Sequence, residues 1–302
     1  MTQNAPSAPS PTPAGDSLSG FLFALSAYLL WGFLPLYMKQ LAAISPVEVV
    51  AHRVIWSIPV ALAVLVWLGR TADLKTALTT PRILAMGVVT AALISVNWGI
   101  YVWAIGAGHA LDAALGYYIN PLFSVFLGAV LLRERLLPLQ WAAIALAVVG
   151  VGLLTWEAGQ LPVIALSLTL TWGFYAYFKR SLPIGPNQGF ALEVLLLLPP
   201  AVGLFLWFAL TGTGHLLTGP AADTWLLMGC GIVTAGPLML YANGAKRLRL
   251  STIAMMQYIA PTLIFLTAVF VFDEPFSMGK LVAFGFIWAG LVIFTLPVLL
   301  RR

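Results

Sequence analysis

Three ionisable residues, His52, Arg53 and Glu193, lie inside long apolar runs. A charge in hydrocarbon is costly, so such residues are functional candidates by default. Arg53 lies toward one end of its run, where Asp112 or Glu48 could pair with it. Glu193 lies toward the opposite end of a later run, where Arg249 or Lys246 could do the same. Such pairs could act as two gates that close alternately, or as static ties between helices. Long side chains of this kind also reach out to the interface. His52 could carry a proton or a hydrogen bond to a substrate.

Pro121 and Pro261 fall near the middle of apolar runs, beside Tyr118 and Asn120 in one and Gln257 and Tyr258 in the other. A proline lacks the amide N–H and frees the carbonyl four residues earlier, here those of Tyr117 and Gln257. In hydrocarbon such a carbonyl needs a partner. Matched helix breaks in two halves of a chain point to a transporter site at mid-depth, whereas a lone kink also serves packing. Asn97 and Tyr101 stand one helical turn apart and share a face, as do Trp172 and Tyr175. With Trp31 they could wall an aromatic cavity with amide and hydroxyl anchors. Tryptophans also pack between helices or sit at membrane interfaces.

Other chemistries lack their residues. No glycine-rich loop ending in lysine is present to cradle ATP phosphates. The three histidines show no His-x-x-x-His spacing, and the single Cys230 excludes an intrachain disulfide and a thiolate cluster. No metal, no cofactor and no enzymatic activity are expected. No filter-like segment or charged ring marks an ion channel. Carboxylates are missing near mid-span, which weakens proton coupling and leaves downhill export at least as well supported. A cavity without fixed charge would suit solutes that are neutral or zwitterionic overall.

The elements that must position these residues follow from composition. The 302-residue chain is 61% hydrophobic and 8% charged, against roughly 25% charged in soluble domains. Crossing the hydrocarbon core takes about 20 mostly apolar residues. Runs of that kind lie near 20–38, 46–68, 84–105, 111–132, 137–155, 161–178, 188–210, 224–243, 252–272 and 279–299. The expected fold is an all-α integral membrane protein of ten transmembrane helices with short connections. Residues 1–18, rich in Pro, Ser and Ala, read as a disordered cytoplasmic tail.

The net charge of +5 orients the chain and does not imply a nucleic-acid partner. Arg70, Lys75, Arg82, Arg133, Arg135, Lys179, Arg180, Lys246, Arg247, Arg249, Arg301 and Arg302 all fall on one side of the expected spans, 12 of the 15 basic residues. Lys39 and Lys280 alone fall in the opposite loops. Short loops rich in Lys and Arg stay in the cytoplasm, so both termini are expected there.

The chain also resembles itself at an offset of about 140 residues. Trp31-Gly32-Phe33 recurs as Trp172-Gly173-Phe174, Pro59 as Pro199, and Tyr101 as Tyr241. Tyr118-Ile119-Asn120-Pro121 recurs as Tyr258-Ile259-Ala260-Pro261, each proline followed at the same distance by Glu134 or Glu274. Gly150 recurs as Gly290. Two five-helix halves, 19–157 and 158–302, are therefore expected. An odd number of spans per half inverts the second relative to the first, an architecture recurrent in secondary transporters.

His52-Arg53-Val54-Ile55-Trp56, Gly116-Tyr117-Tyr118-Ile119-Asn120-Pro121-Leu122, Arg247-Leu248-Arg249-Leu250-Ser251-Thr252 and Gln257-Tyr258-Ile259 with Pro261-Thr262 resemble motifs of the RarD proteins. These are EamA-type exporters of the drug/metabolite transporter superfamily, and the resemblance spans all ten runs. It implies a bacterial inner-membrane permease that exports small organic solutes by alternating access. Amino acids of the aromatic, Met or Thr type are the favoured cargo, with small amphipathic drugs such as chloramphenicol as the alternative. A non-transporting membrane scaffold is the reading from another class. The expected partners are a small-molecule substrate and the lipid bilayer, with the chain acting as a monomer or as a dimer held by small residues such as Ala143, Ala147 and Gly150.

Overall fold

Proline opens several helices and glycine closes others. In the computed structural model, which describes residues 17–131, 133, 135–245, 247–248 and 250–300, Pro46, Pro81, Pro138 and Pro186 stand in the first positions of their helices. A missing N–H costs nothing there. Gly159 and Gly212 end two helices in the left-handed conformation, with φ of 66° and 68°, which a residue without Cβ adopts freely.

Twelve helical segments and no strand occur among the described residues. They are α1 (Leu18–Gln40), α2 (Pro46–Trp67), α3 (Thr71–Thr79), α4 (Pro81–Gly106), α5 (Ala110–Leu131), α6 (Pro138–Ala158), α7 (Val163–Arg180), α8 (Pro186–Thr211), α9 (Ala221–Ala245), α10 (Leu250–Met256), α11 (Ile259–Phe270) and α12 (Met278–Leu300). Eight of them, α1, α2, α4, α5, α6, α8, α9 and α12, are long and apolar enough to cross a membrane. Trp67, Trp156 and Leu210 are 83%, 89% and 86% exposed on the outside, a surface suited to lipid and not to water. The chain is a multi-span membrane protein.

Two of the expected runs look different in three dimensions. The sixth is α7, set two residues later so that it ends in Lys179 and Arg180, and it is not among the eight long apolar helices. The ninth is divided, with a turn at Gln257 and Tyr258 between α10 and α11. Pro261 cannot donate to the Gln257 carbonyl, and the helix gives way there. The expected matching break at Pro121 is absent: α5 runs unbroken from Ala110 to Leu131 with the proline inside. One turn earlier the Thr169 hydroxyl of α7 donates to the Gly116 carbonyl at 2.9 Å, a tie between α5 and α7. The short helix α3 was not anticipated; it buries Leu74 and Ala77, and Gln188 of α8 donates to its Asp73 at 3.0 Å. The tail before Ser17, together with Glu134, Lys246, Arg249, Arg301 and Arg302, lies outside the described residues.

The helices pack in corresponding sets. Helix α1 lies on α9 and α11, as α7 lies on α4 and α5; α2 packs on α9, as α8 packs on α4. Helices α2 and α8, α5 and α11, and α6 and α12 meet as pairs. The α6–α12 contact is the closest to reciprocal. A Cβ on Gly150 would stand 2.8 Å from the Ala283 carbonyl, and one on Gly290 would stand 2.8 Å from the Ala143 carbonyl. Only glycine lets the two backbones approach this closely.

Candidate functional site

Residues of eight helices, α1, α2, α4, α5, α7, α8, α9 and α11, many of them aromatic or amide side chains, line a cavity of about 730 Å³. Ligand pockets commonly fall in this size range. It reaches the surface between the exposed Arg180 and Pro186, at the turn from α7 to α8. The far end of the bundle is packed shut. There Glu48 accepts the His215 backbone N–H at 2.7 Å and meets its Nδ1 at 2.8 Å. The Tyr37 hydroxyl donates to the Leu226 carbonyl. Glu274 accepts the N–H of Ala110 at 2.7 Å and of Leu111 at 2.8 Å, a carboxylate set on the start of α5. Burial pushes the Glu274 carboxyl above the ordinary range, against the lowering effect of those two N–H donors.

Of the residues singled out by sequence, Trp31, Arg53, Asn97, Tyr101, Asn120, Pro121, Trp172, Tyr175, Gln257 and Pro261 line this cavity. Tyr118 and Tyr258 are not among its lining residues. The Tyr118 hydroxyl pairs with Thr262 at 2.8 Å and its ring packs edge-on against Phe284 and Trp288. Its neighbour Tyr117 lines the cavity instead. Successive helical residues point about 100° apart, so one of two adjacent tyrosines had to face away, and periodicity alone did not say which. Tyr28, Trp98, Lys179 and Tyr241 also line the cavity and were missed. The match of Tyr241 with Tyr101 in the repeat was the available signal.

Asn97 is already satisfied by the protein. Its Nδ2 donates to the Leu168 carbonyl at 3.2 Å and to Thr171 Oγ1 at 2.9 Å, and its Oδ1 accepts the Tyr117 hydroxyl at 3.4 Å. The amide ties α4 to α7 and holds the Tyr117 ring in the wall. Asn120, by contrast, has a buried Oδ1 with no partner.

The expected ion pairs are replaced by others. Asp112 pairs with His109 at 3.1 Å and Glu48 with His215, so neither meets Arg53. Glu193 pairs with Lys179 at 2.7 Å and accepts the Tyr175 hydroxyl at 3.3 Å. Its proposed partners Arg249 and Lys246 fall outside the described residues. His52 is buried away from the cavity lining, its Nδ1 accepting from Trp56 Nε1 at 3.2 Å and its ring meeting Phe205 edge-on. The cavity was expected to lack fixed charge; Arg53 and Lys179 both line it. No group of three or more His, Cys, Asp or Glu residues that could hold a metal occurs among the described residues.

A bundle of apolar helices around one aromatic cavity that reaches one end only has the build of a membrane solute transporter. The chain belongs to the EamA-like transporter family, with the RarD proteins among its relatives in the drug/metabolite transporter superfamily. The family matches residues 18–156. An uncharacterized transporter of Vibrio cholerae is 44% identical over 285 residues, covering 93% of each chain. Protein RarD of Escherichia coli (strain K12) is 39% identical over 283 residues, 94% of this chain and 96% of that protein. The chloramphenicol-sensitive protein RarD of Pseudomonas aeruginosa is 32% identical over 279 residues, 91% of this chain and 92% of that one. A crystal structure 23% identical in sequence matches with a TM-score of 0.56 over 92% of this chain and 96% of that chain, which shows a shared fold.

Proposed function

We propose that the chain is a secondary transporter or facilitator that exports small organic solutes across the bacterial inner membrane by alternating access. The carrying observation is the cavity itself: it reaches the end that bears Lys179 and Arg180 and is packed shut at the end that bears Glu48, His215 and Glu274. The distribution of Lys and Arg supports a cytoplasmic open end with both termini on that side. Ten spans, with α10 and α11 together forming the ninth, divide into halves 19–157 and 158–302 of inverted orientation. The corresponding helix pairings and the reciprocal Gly150 and Gly290 contacts support this reading. Two such halves can trade conformations, so a state open to the other side has similar energy.

Amino acids of the aromatic, Met or Thr type are the favoured cargo. Trp31, Tyr117 and Trp172 offer ring faces, and Asn120 and Gln257 offer polar anchors. A small amphipathic drug such as chloramphenicol is the second reading, favoured by the name of the Pseudomonas aeruginosa relative. The chain works as a monomer, since the small residues of α6 are already occupied by α12. Purified protein in liposomes tests this directly: radiolabelled amino acids and chloramphenicol are offered without ATP or a proton gradient. Flux of the amino acids that falls on Trp172→Ala supports the reading, flux of the drug alone selects the second, and no flux with or without a pH gradient leaves a scaffold.

A further inference from the structure

Arg53 is a buried cation without an anion. It is 3% exposed, and no carboxylate among the described residues forms an ion pair with it. Its Nε donates to Thr234 Oγ1 at 3.0 Å and its guanidinium lies 4.9 Å over the Trp98 ring. These contacts hold the planar group in one orientation. Nη1 is buried and makes no hydrogen bond. The other groups close enough to act on its charge are the side chains of Tyr37, Tyr101, Tyr117 and Cys230, none of them a carboxylate. The two carboxylates expected to neutralise it are engaged elsewhere, Glu48 by His215 and Asp112 by His109.

Tyr101 adds a second idle donor. Its hydroxyl is buried, has no partner and belongs to the same cavity wall. Buried polar groups in folded proteins are almost always paired, and each exception needs an explanation. An unpaired guanidinium in a membrane protein is the most costly exception of this kind. A rigid guanidinium with free N–H groups matches the planar, two-oxygen geometry of a carboxylate.

We propose that Arg53 and Tyr101 form a carboxylate-binding subsite at the closed end of the cavity, so that the cargo is a small organic acid or a zwitterion bound through its carboxylate. This rests on the transport reading above and narrows it. The carboxylate meets Arg53 Nη1 and the Tyr101 hydroxyl, and the aromatic walls take the rest of the solute. The unpaired Asn120 Oδ1 then accepts from an ammonium or hydroxyl group where the cargo carries one. A neutral solute leaves the guanidinium unpaired and gains nothing from it.

The test uses full-length protein in nanodiscs and three probes that differ in one group: L-phenylalanine, L-phenylalaninamide and 3-phenylpropionate. Binding is followed by tryptophan fluorescence, which Trp98, Trp31 and Trp172 report from the cavity wall. The two acids are expected to bind at least tenfold tighter than the amide. Arg53→Gln is expected to remove that preference, Arg53→Lys to keep part of it, and Tyr101→Phe to weaken the acids a few-fold while leaving the amide unchanged. Should Arg53→Gln fail to fold by size-exclusion chromatography, Tyr101→Phe and Arg53→Lys carry the test. Equal affinity for acid and amide, no binding of either acid, an unaltered preference in the variants, or displacement of the acids by sulfate at equal concentration would each overturn the subsite. Liposome flux of the same probes separates the two levels. Flux of the two acids that Arg53→Gln leaves unchanged overturns the subsite and keeps the transporter. Arg53-dependent binding of the acids without any flux keeps the subsite and overturns the transporter.

Discussion

The Lys179 ammonium lies 2.7 Å from the Glu193 carboxylate, in the cavity wall near its open end, with Glu193 only 1% exposed. The pair joins the end of α7 to the start of α8, and Tyr175 adds a hydrogen bond to the same carboxylate. Removing one member of a buried pair leaves an uncompensated charge, whereas removing both does not. Glu193→Gln is therefore expected to destabilise the protein by on the order of 3 kcal/mol, and Lys179→Met combined with Glu193→Gln to recover most of that loss. Thermal unfolding in detergent of the two single variants and the double variant measures the difference. Losses that simply add would show that the pair is not coupled.

Asn97 acts through Tyr117 as well as through α7. Asn97→Ala removes three hydrogen bonds, each worth about 0.6 kcal/mol on average within a membrane bundle. A stability loss of about 2 kcal/mol is expected, with uptake lowered severalfold because the Tyr117 ring is no longer held. Tyr117→Phe keeps the ring and loses only one of these bonds, so it is expected to lose less of both. Equal transport loss in the two variants would argue that the hydroxyl, and not the placement of the ring, matters.

The α6–α12 contact makes a control available on one helix. A Cβ at Gly150 would meet the Ala283 carbonyl at 2.8 Å, while one at Gly152 has nothing within 4 Å. Gly150→Ala is expected to cost about 1–3 kcal/mol by forcing the helices apart, and Gly152→Ala to be neutral or stabilising by up to about 1 kcal/mol. Unfolding midpoints of the two variants decide it, since their helix propensities change alike.

Glu274 gives the closed end a pH dependence of known sign. Its carboxyl is raised above the ordinary glutamate value of 4.5 by burial. The folded state therefore holds the proton more readily than the unfolded chain. The stabilising contribution is fully present below 4.5 and fades as pH rises through the raised value. Glu274→Gln cannot titrate, so the melting temperature of the parent minus that of the variant is expected to grow as pH falls toward 4.5. A difference that shrinks over that window would mean that the two N–H donors of α5 outweigh burial and lower the carboxyl instead.

Much of the scaffold and part of the site could be read from the chain alone. Apolar length is a local property, so nine of the ten runs emerged as single helices, and the ninth split at Pro261 because a proline acts on its own preceding turn. Helical spacing singled out Asn97 with Tyr101 and Trp172 with Tyr175, the repeat singled out Trp31, and the neighbouring proline singled out Gln257; all of them line the cavity. The offset matched Gly150 with Gly290, and in the structure each meets the other's helix in the same way. Tertiary structure decided which charge met which. Glu48 takes His215, 167 positions away, and Glu193 takes Lys179 across a turn, so Arg53 stays without a carboxylate among the described residues. It also chose Tyr117 over Tyr118 for the cavity and kept α5 whole through Pro121. Partners of this kind are set by how helices distant in sequence lie against one another, and that arrangement depends on packing of whole helix faces rather than on the spacing within any one of them.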